Sequence, residues 1–482
     1  MEKYKNLILN IGLFSLNTIS TKLITFLLVP LYTYFLTAAQ YGITDMSLTL
    51  VGLIVPVATL SIGDATTRYI IDDPNDQERY ISIGFWVTTF GCLLMFTLLP
   101  VLDIPIFGGL GDYKWFYMVY FISLNFNSYM GNVARGLNRI KLMTVASIAS
   151  SLVSASTAGI LIGLLDWKVE GYFVSLILGG TTSIMIYLIF GHFRHCINFP
   201  KFKRDRKYLK IMLLYSIPLI PNSIFWWIGT GINRFFITAI LGIGSSGLFA
   251  AAGKIPNILN LISSTFWQAW SLSAFQQFKK SDTGRFYSNV FTVFRSVCFV
   301  TASVLILGAP WLASVLLQKS FYEAWCIVPI LVLAFLFNAF AGFYGTIFTA
   351  SMKTTYLLTS TIMASLAVIV ATYLLLPVMG LQGAAWALVA SNLLMYVMRM
   401  FRASSIMTIK VNWPLMIAST LLLTLQVCVM SWKLSNYMIL AAIIFIGICI
   451  VSFFDFYPSM KMIISVFRKR KKRTEIFIKE NN

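Results

Sequence analysis

The sequence predicts an all-α integral membrane protein with about fourteen transmembrane helices. The first observation is composition: of 482 residues, 58% are hydrophobic and only 11% are charged, whereas soluble domains are about 45–50% apolar and about 25% charged. The second is that the apolar residues fall in runs of about 20, the length that crosses the hydrocarbon core. The strands of a membrane barrel would instead be about ten residues of strict alternation.

The apolar runs follow one another along the chain and define the predicted helices in order. The first run is long and lacks a small-residue cleavage site, so we expect it to be retained as a span and not removed as a signal peptide. The runs cover approximately residues 7–35, 46–65, 81–102, 115–134, 142–165, 172–193, 209–241, 248–270, 286–307, 324–348, 356–376, 383–401, 414–432 and 437–457.

The distribution of Lys and Arg predicts the orientation of these spans. With an even number of spans, both termini lie on the same side of the membrane. If that side is the cytoplasm, the inner loops and tails hold 29 Lys and Arg residues and the outer loops hold four, as the positive-inside rule requires. The net charge of +20 then indicates basic loops and a basic tail beside anionic membrane lipids, and no nucleic-acid partner.

Two halves are visible in the sequence. A weak internal similarity with an offset of 212 residues places Lys141 on Lys353 and Gly171 on Gly383. Repeated halves with Pro-interrupted leading helices are typical of transporters whose site lies between the halves near the midplane. We therefore predict an N-terminal six-helix bundle (1–193), a basic cytoplasmic linker (194–208), a C-terminal six-helix bundle (209–401), two extra helices (402–457) and a basic cytoplasmic tail (458–482).

Four cations lie away from the ends of the apolar runs, and each would cost about 2.5–3.5 kcal/mol at a helix centre. One alternative is that their side chains snorkel to the membrane surface, and a second is that they pair with one of two intramembrane acids, Asp45 or Asp64. The functional alternative is a water-filled cavity with net positive charge. The four cations are Lys22, Arg234, Lys254 and Arg295.

The sign of the surplus charge indicates the class of cargo. A proton- or sodium-coupled exporter of cationic drugs would need carboxylates in its cavity, whereas a positive cavity suits phosphate, because the pairing is charge-assisted and little water competes. We therefore expect an anionic cargo that is bound by these four cations. Near Lys254, the following Pro256 frees backbone groups and lets polar residues approach the cavity.

Asp64 and Arg68 are four residues apart near the inner end of the second span, so both can lie on one helix face. Two interpretations are open, a gating pair and an interfacial salt bridge. Other chemistry finds little support: the two histidines, His192 and His195, lie together at the inner edge, and the six cysteines are scattered singly. We expect no enzymatic activity, no metal site and no cofactor.

Two segments resemble the bacterial polysaccharide flippases of the multidrug/oligosaccharidyl-lipid/polysaccharide (MOP) exporter superfamily. One is STKLITFLLVPLYTYFLTAAQYG (residues 20–42), and the other is GINRFFITAILGIGSSGLFAAAGKIPNILNLISSTFWQAW (residues 231–270). The resemblance implies alternating access between the halves and a substrate of oligosaccharide on an undecaprenyl-pyrophosphate carrier. It also implies that Asn233 lines the cavity together with Lys22, Arg234 and Lys254. A drug antiporter of the superfamily would carry acidic residues where this chain has Lys22.

The predicted function is translocation of an anionic undecaprenyl-pyrophosphate-linked oligosaccharide from the cytoplasmic to the outer leaflet of the bacterial cytoplasmic (inner) membrane. The alternatives are a lipid-linked peptidoglycan-precursor flippase, a multidrug antiporter and a membrane assembly protein that transports nothing. A polysaccharide polymerase and glycosyltransferases are further candidate partners, besides the lipid-linked substrate and anionic lipids.

Overall fold

A computed structural model describes residues 20–198, 202–278 and 283–457, and these ranges contain helices and no strand. The predicted all-α membrane fold is therefore confirmed. The helices are α1 (20–27, the described part), α2 (Val29–Phe35), α3 (Ala38–Ala58), α4 (Ile62–Asp72), α5 (Gln77–Leu98), α6 (Lys114–Gly136), α7 (Ile140–Ala158), α8 (Lys168–Phe190), α9 (Phe202–Ser216), α10 (Leu219–Leu241), α11 (Ile243–Ala252), α12 (Asn257–Gln277), α13 (Thr283–Leu307), α14 (Ala309–Leu316), α15 (Val328–Ala350), α16 (Thr355–Met379), α17 (Leu381–Ser404), α18 (Trp413–Ser431) and α19 (Tyr437–Tyr457).

Eleven helical segments are long and apolar enough to cross a membrane by length and composition. Three further predicted spans fall short for identifiable reasons. The first begins outside the described residues, α6 is long enough but rich in polar residues, and the α11–α12 segment is interrupted at 253–256. The chain is thus a multi-pass membrane protein, and the count of fourteen spans stays a prediction.

The chain folds as two compact units that differ from the predicted halves. Unit 1 comprises Met1–Lys254 with Val315–Tyr322, and unit 2 comprises Ile255–Ser314 with Glu323–Asn482. The helices α9, α10 and α11, which the sequence places in the second bundle, therefore pack with the N-terminal helices. The division at residues 194–208 and the six-plus-six-plus-two organisation stay predictions.

Unit 1 is built on α3 to α8, with α9, α10 and α11 packed against α3, α4 and α5. The start of α3 is set by a capping box: the Thr37 hydroxyl accepts from the Gln40 backbone N–H at 3.3 Å, and the Gln40 side chain accepts from the Thr37 N–H at 3.0 Å. Such a box satisfies two helix-terminal donors at once. The core of unit 1 includes the fully buried rings of Tyr117, Phe121 and Phe173.

Unit 2 is built around α15, which is buried over most of its length and packs on α12, α13 and α17. The α17 helix also packs along α16, and Ser391 of α17 donates to the Ala364 carbonyl of α16 at 2.7 Å. Stacked aromatic rings fill the space between α12 and α15, with Trp270 and Phe343 centroids 5.2 Å apart. These contacts bury apolar area and give unit 2 its own core.

Candidate functional site

An ion pair joins α3 to α10 inside unit 1. The Arg234 Nε lies 2.7 Å from Asp45 Oδ2, and a second guanidinium nitrogen donates to the Thr230 carbonyl at 2.8 Å. The Asp45 side chain is 8% exposed and that of Arg234 is 24% exposed. The attraction between the two charges is stronger at this low exposure than it would be at the surface, so the pair holds α3 against α10.

Lys254 adds a second cation to this ion pair. It is half-buried in the turn between α11 and α12, just before Pro256, where the missing N–H of proline interrupts the helix. Asp45 and Arg234 are the charged groups close enough to act on the Lys254 ammonium. This charged cluster, defined as Asp45, Arg234 and Lys254, therefore contains two cations and one carboxylate and carries one surplus positive charge.

Buried tyrosines surround the charged cluster. Asp45 acts electrostatically on Tyr41 and Tyr172, and Tyr41 also feels Arg234. The rings of Tyr32 and Tyr172 meet edge to face with centroids 5.2 Å apart, and all three tyrosines are less than 9% exposed. The sequence analysis missed these residues, because tyrosines in membrane helices are usually assigned to the water interface. The Tyr41 and Tyr172 hydroxyls instead lie beside buried charge.

The helices that carry the charged cluster approach one another closely. A Cβ atom at Gly247 of α11 would lie 2.0 Å from the Ala38 carbonyl oxygen of α3, and one at Gly42 would lie 2.2 Å from the Ile243 oxygen. Only glycine permits this backbone contact. Further along α3, the Trp227 indole N–H of α10 donates to the Thr49 carbonyl at 2.6 Å. The α3 helix is thus locked to both α10 and α11.

Lys22 and Asn233, two predicted cavity residues, lie outside the charged cluster. Lys22 is exposed on α1, ten residues before Tyr32, or about 15 Å along a helix of 1.5 Å rise per residue. Asn233 is 1% exposed, and as the helical neighbour of Arg234 it points about 100° away from it. Both have polar or electrostatic contacts of their own. Their role in substrate binding stays a prediction.

Arg295, the fourth predicted cation, has its own acid in unit 2. It lies on α13, is 1% exposed and forms an ion pair with Asp455 of α19, with the Phe291 ring 5.7 Å from the guanidinium carbon. The sequence analysis counted two intramembrane acids and was wrong by one. Asp455 was missed because it lies near the end of the last span, where a carboxylate is expected to face water. Because Asp455 neutralises Arg295, we leave Arg295 out of the proposed site.

Arg399 is a half-buried cation that the sequence analysis did not select. It lies on α17, and its guanidinium donates to Ser360 Oγ at 2.9 Å, to Thr361 Oγ1 at 3.2 Å and to the Ala341 carbonyl at 3.1 Å. These acceptors belong to α15 and α16, so Arg399 joins three helices of unit 2. Its position near the end of the predicted span 383–401 concealed this role.

The predicted gating residues do not pair with each other. Arg68 Nε lies 2.8 Å from Asp72 Oδ2, and both side chains are largely exposed, at 57% and 42%. Asp64 instead lines a polar pocket of about 220 Å³ where α3 meets α4. The spacing of four residues suits both Asp64–Arg68 and Arg68–Asp72, and only the second pair forms. A gating role for Asp64 and Arg68 stays a prediction.

Two further features bear on ligands. An apolar groove of about 300 Å³ runs between α13 and α19 and is lined by residues such as Val297, Val300 and Phe453. In the described ranges no group of three or more His, Cys, Asp or Glu side chains could hold a metal ion. The basic tail, which we expect to contact anionic lipids, lies outside the described residues.

Comparison with known families places the chain among polysaccharide biosynthesis proteins. The family described as "Polysaccharide biosynthesis protein" matches residues 7–271, more than half of the chain. A comparison with curated protein sequences gives no significant match.

Several solved structures share the fold at low sequence identity. The chain resembles the inward-facing conformation of a multidrug resistance MATE family transporter of the MOP superfamily, with a TM-score of 0.65, 14% identity and coverage of 81% of this chain and 95% of that one. The outward-facing conformation of such a transporter has a TM-score of 0.59 and 16% identity, with coverage of 83% of this chain and 96% of that one. The third structure is a MOP superfamily transporter from Pyrococcus furiosus, whose binding pocket is described as having reverse polarity that suggests a different function. Its TM-score is 0.60 and its identity 15%, with coverage of 82% of this chain and 96% of that one.

Proposed function

Because the chain belongs to the polysaccharide biosynthesis protein family and has the MATE-like fold of MOP superfamily transporters, we propose that it is a lipid-linked oligosaccharide flippase. Its cargo is an anionic oligosaccharide on undecaprenyl pyrophosphate, which it moves from the cytoplasmic to the outer leaflet for surface polysaccharide synthesis. The observation that carries this proposal is the charged cluster, in which Arg234 pairs with Asp45 and Lys254 adds a second positive charge.

The composition of the charged cluster suits a pyrophosphate. The planar guanidinium of Arg234 offers paired donors to phosphate oxygens, and the ammonium of Lys254 acts as a point charge. Because the site is largely shielded from water, both attractions are stronger than they would be at the surface. The surplus charge resides on Lys254 in the described conformation, since Asp45 compensates Arg234. A cationic drug would meet net repulsion at the same place.

The Asp45–Arg234 pair also supplies a mechanism for alternating access. In the predicted orientation the pair lies toward the outer ends of α3 and α10, where Gly42 and Gly247 bring α3 against α11. Opening of this side requires the pair to break, and a phosphate that takes the place of Asp45 at Arg234 keeps the guanidinium compensated. Movement of an anion out of an inside-negative cell is favoured by about 2.3 kcal/mol per charge per 100 mV, so membrane potential drives release.

The lipid part of the cargo needs an apolar path beside the polar one. An isoprenoid chain stays in the bilayer and binds along apolar helix surfaces, since each buried CH₂ contributes about 0.8 kcal/mol. The groove of about 300 Å³ between α13 and α19, lined by Val297, Val300 and Phe453, supports this requirement. The second of the two extra C-terminal helices predicted from the sequence, α19, thus acquires a role in holding the carrier lipid.

This function places the protein in the bacterial cytoplasmic (inner) membrane with both termini in the cytoplasm, as the 29-to-4 distribution of Lys and Arg favours. Glycosyltransferases would supply the lipid-linked substrate on the inner side, and a polysaccharide polymerase would consume it on the outer side. The substrate and the anionic lipids around it are the partners that the charge distribution itself supports.

The proposal is tested by reconstituting the full chain in liposomes with a fluorescent undecaprenyl-pyrophosphate-linked sugar and measuring how fast the label becomes accessible to an external quencher. We expect Lys254→Gln to slow flipping at least tenfold, because the loss of one charge-assisted contact removes about 1.5–3 kcal/mol, and Lys254→Arg to restore much of the rate. The matched control is Lys353→Gln, an exposed lysine outside the charged cluster. Unchanged transport in the triple variant with Lys22→Ala, Arg234→Ala and Lys254→Ala would falsify the proposal.

A second candidate is a flippase for a lipid-linked peptidoglycan precursor, which is favoured by the same charged cluster because that carrier bears the same pyrophosphate. Depletion of the protein separates the two functions. Loss of a surface glycan with an intact cell wall supports the oligosaccharide cargo, and growth arrest with wall lysis supports the peptidoglycan precursor.

A further inference from the structure

A polar pocket lies where the second span of unit 1 is broken. The α3 helix contains Pro56 and ends at Ala58, and α4 begins at Ile62. Between them Leu60 and Ser61 both adopt left-handed backbone conformations, with φ of 53° and 49°, which L-residues other than Gly, Asn and Asp rarely adopt. The break opens a pocket of about 220 Å³ among α3, α4, α5, α6 and α10.

Two side chains that line the pocket are almost fully buried and have unsatisfied polar groups. Asn125 and Thr88 are each 2% exposed. The Asn125 amide donates to the Phe121 carbonyl at 2.7 Å, whereas its carboxamide oxygen and the Thr88 hydroxyl have no hydrogen-bond partner within the described ranges. Because polar groups at buried positions are nearly always paired and both residues line the pocket, these two groups are available to hydrogen-bond a ligand there.

The remaining polar lining completes a mixed set of donors and acceptors. Asp64 supplies a carboxylate, Asn132 a carboxamide, and Ser61 and Ser128 supply hydroxyls. None of these four side chains has a hydrogen-bond partner among the residues that the structure describes. No cation lines the pocket, so Asp64 gives it a net negative charge. Such a set suits a sugar, because each sugar hydroxyl both donates and accepts hydrogen bonds.

The size and charge of the pocket distinguish between ligands. Its volume equals about seven waters at 30 Å³ each, which suits a single sugar ring and exceeds what one sodium ion in direct contact with oxygens at about 2.4 Å would fill. An uncompensated carboxylate repels phosphate, and the polar lining excludes an isoprenoid chain. A neutral or amino-sugar ring is the ligand that satisfies all of these conditions.

The pocket lies on the same face of α3 as the charged cluster. Asp45, Thr49, Pro56 and Thr59 are separated by three, four or seven residues, which is the spacing of one helix face. Asp45 and Thr59 are 14 residues apart, or about 21 Å at 1.5 Å per residue. Trp227 lies between them and donates to the Thr49 carbonyl. A ligand that reaches both places therefore carries a sugar at a distance from its phosphate.

We propose that this pocket is a saccharide subsite that holds one neutral or amino-sugar ring of the cargo, remote from the pyrophosphate. The assignment rests on the proposed function, because it takes the sugar to be part of the transported molecule. Asp64 and Asn132 bind ring hydroxyls, and Asn125 and Thr88 supply the buried contacts at the base of the pocket. The subsite gives the protein selectivity for cargo composition that the charged cluster cannot provide.

The test uses the full chain in nanodiscs and free sugars that carry no phosphate. A panel of hexoses, N-acetylhexosamines, aminohexoses and deoxyhexoses is screened by saturation-transfer NMR, and each hit is titrated. We expect at least one sugar to bind in the millimolar range, Asp64→Asn and Asn132→Leu each to weaken it about tenfold, and Asn125→Leu to abolish it. The matched control is Asp112→Asn, an exposed carboxylate outside the pocket.

Each outcome has a defined meaning. Because Asp64 is exposed and Asn132 half-buried, their variants should retain the wild-type thermal unfolding curve, so folding does not obscure the result if Asn125→Leu is unstable. Absence of binding by every sugar, or binding that survives Asp64→Asn and Asn132→Leu, overturns the subsite. Sodium-22 binding that is lost in Asp64→Asn, without sugar binding, also overturns it and identifies a cation site.

The same assay separates this inference from the proposed function. Phosphate-free sugars do not require the charged cluster, so Lys254→Gln should leave monosaccharide binding within twofold of wild type. Sugar binding by a protein that fails to flip the lipid-linked substrate would retain the pocket and reject the flippase. If flipping depends on Lys254 but no sugar binds, the flippase function is retained and the saccharide subsite is rejected.

Discussion

Two buried arginines of this protein, Arg234 in unit 1 and Arg295 in unit 2, look alike in the sequence but have different surroundings. Each lies within an apolar run and each pairs with one aspartate, Asp45 or Asp455. Arg295 is 1% exposed, whereas Arg234 is 24% exposed and is accompanied by Lys254. A cation in a span is therefore a binding candidate only when its neighbours leave charge uncompensated and a ligand can reach it.

The largest effect is expected where the ion pair is completely enclosed. Arg295→Met leaves Asp455 buried and uncompensated, so we expect the free energy of unfolding to fall by about 3–5 kcal/mol. The measurement is thermal unfolding in detergent, followed by the fluorescence of the aromatic core. The double variant Arg295→Met with Asp455→Leu should recover most of the loss, since apolar replacement of a whole buried pair is often neutral. A double variant as unstable as the single one would contradict a purely structural pair.

A smaller effect, in binding and not in folding, is expected at the charged cluster. Asp45→Asn releases Arg234 and raises the surplus from one positive charge to two, so we expect about tenfold tighter binding of undecaprenyl pyrophosphate, equivalent to about 1.4 kcal/mol. Flipping should slow because the cargo is held more tightly and the α3–α10 contact is weaker. Affinity is measured by titration in nanodiscs, with the exposed carboxylate variant Asp112→Asn as the control. Equal affinities for wild type and Asp45→Asn would show that Arg234 is not available to phosphate.

The smallest effect is expected at the exposed pair of α4. Arg68 and Asp72 are 57% and 42% exposed, and such pairs spaced four residues apart contribute about 0.3–0.5 kcal/mol. Asp72→Asn should therefore lower the midpoint of thermal unfolding by about 1 °C or less for a cooperative unit of about 250 residues and leave flipping unchanged. A marked loss of flipping without a change in stability would instead support the predicted gating role of Arg68.

Much of the architecture could be predicted from hydropathy. The places where hydropathy misleads have specific physical reasons. The helix α6 follows its predicted span closely, although Asn125, Asn132 and other polar residues lower its hydropathy, because burial against α4 and α8 replaces contact with lipid. Arg399 was not selected because a cation near a span end usually reaches water. The structure instead satisfies its donors with the acceptors of two neighbouring helices.

The candidate site could be predicted in part. Arg234 and Lys254 were selected because a charge within a membrane span is energetically costly and usually marks a functional site. In the structure they are close together in space. Asp45 was considered as a partner, but no pattern in the sequence showed which cation it would meet. The saccharide pocket gave no signal, since a broken helix with two left-handed residues cannot be recognised from Leu60 and Ser61 themselves.

The sequence by itself determined that this protein is helical and lies in a membrane, and it favoured one orientation, because hydropathy and charge are properties of single residues that add along the chain. Only the tertiary structure decided which charges remain uncompensated. Asp45 and Arg234 are 189 residues apart and Arg295 and Asp455 are 160 residues apart. Electrostatic compensation depends on distance in space at low dielectric, and the packing of helices that are remote along the chain sets that distance.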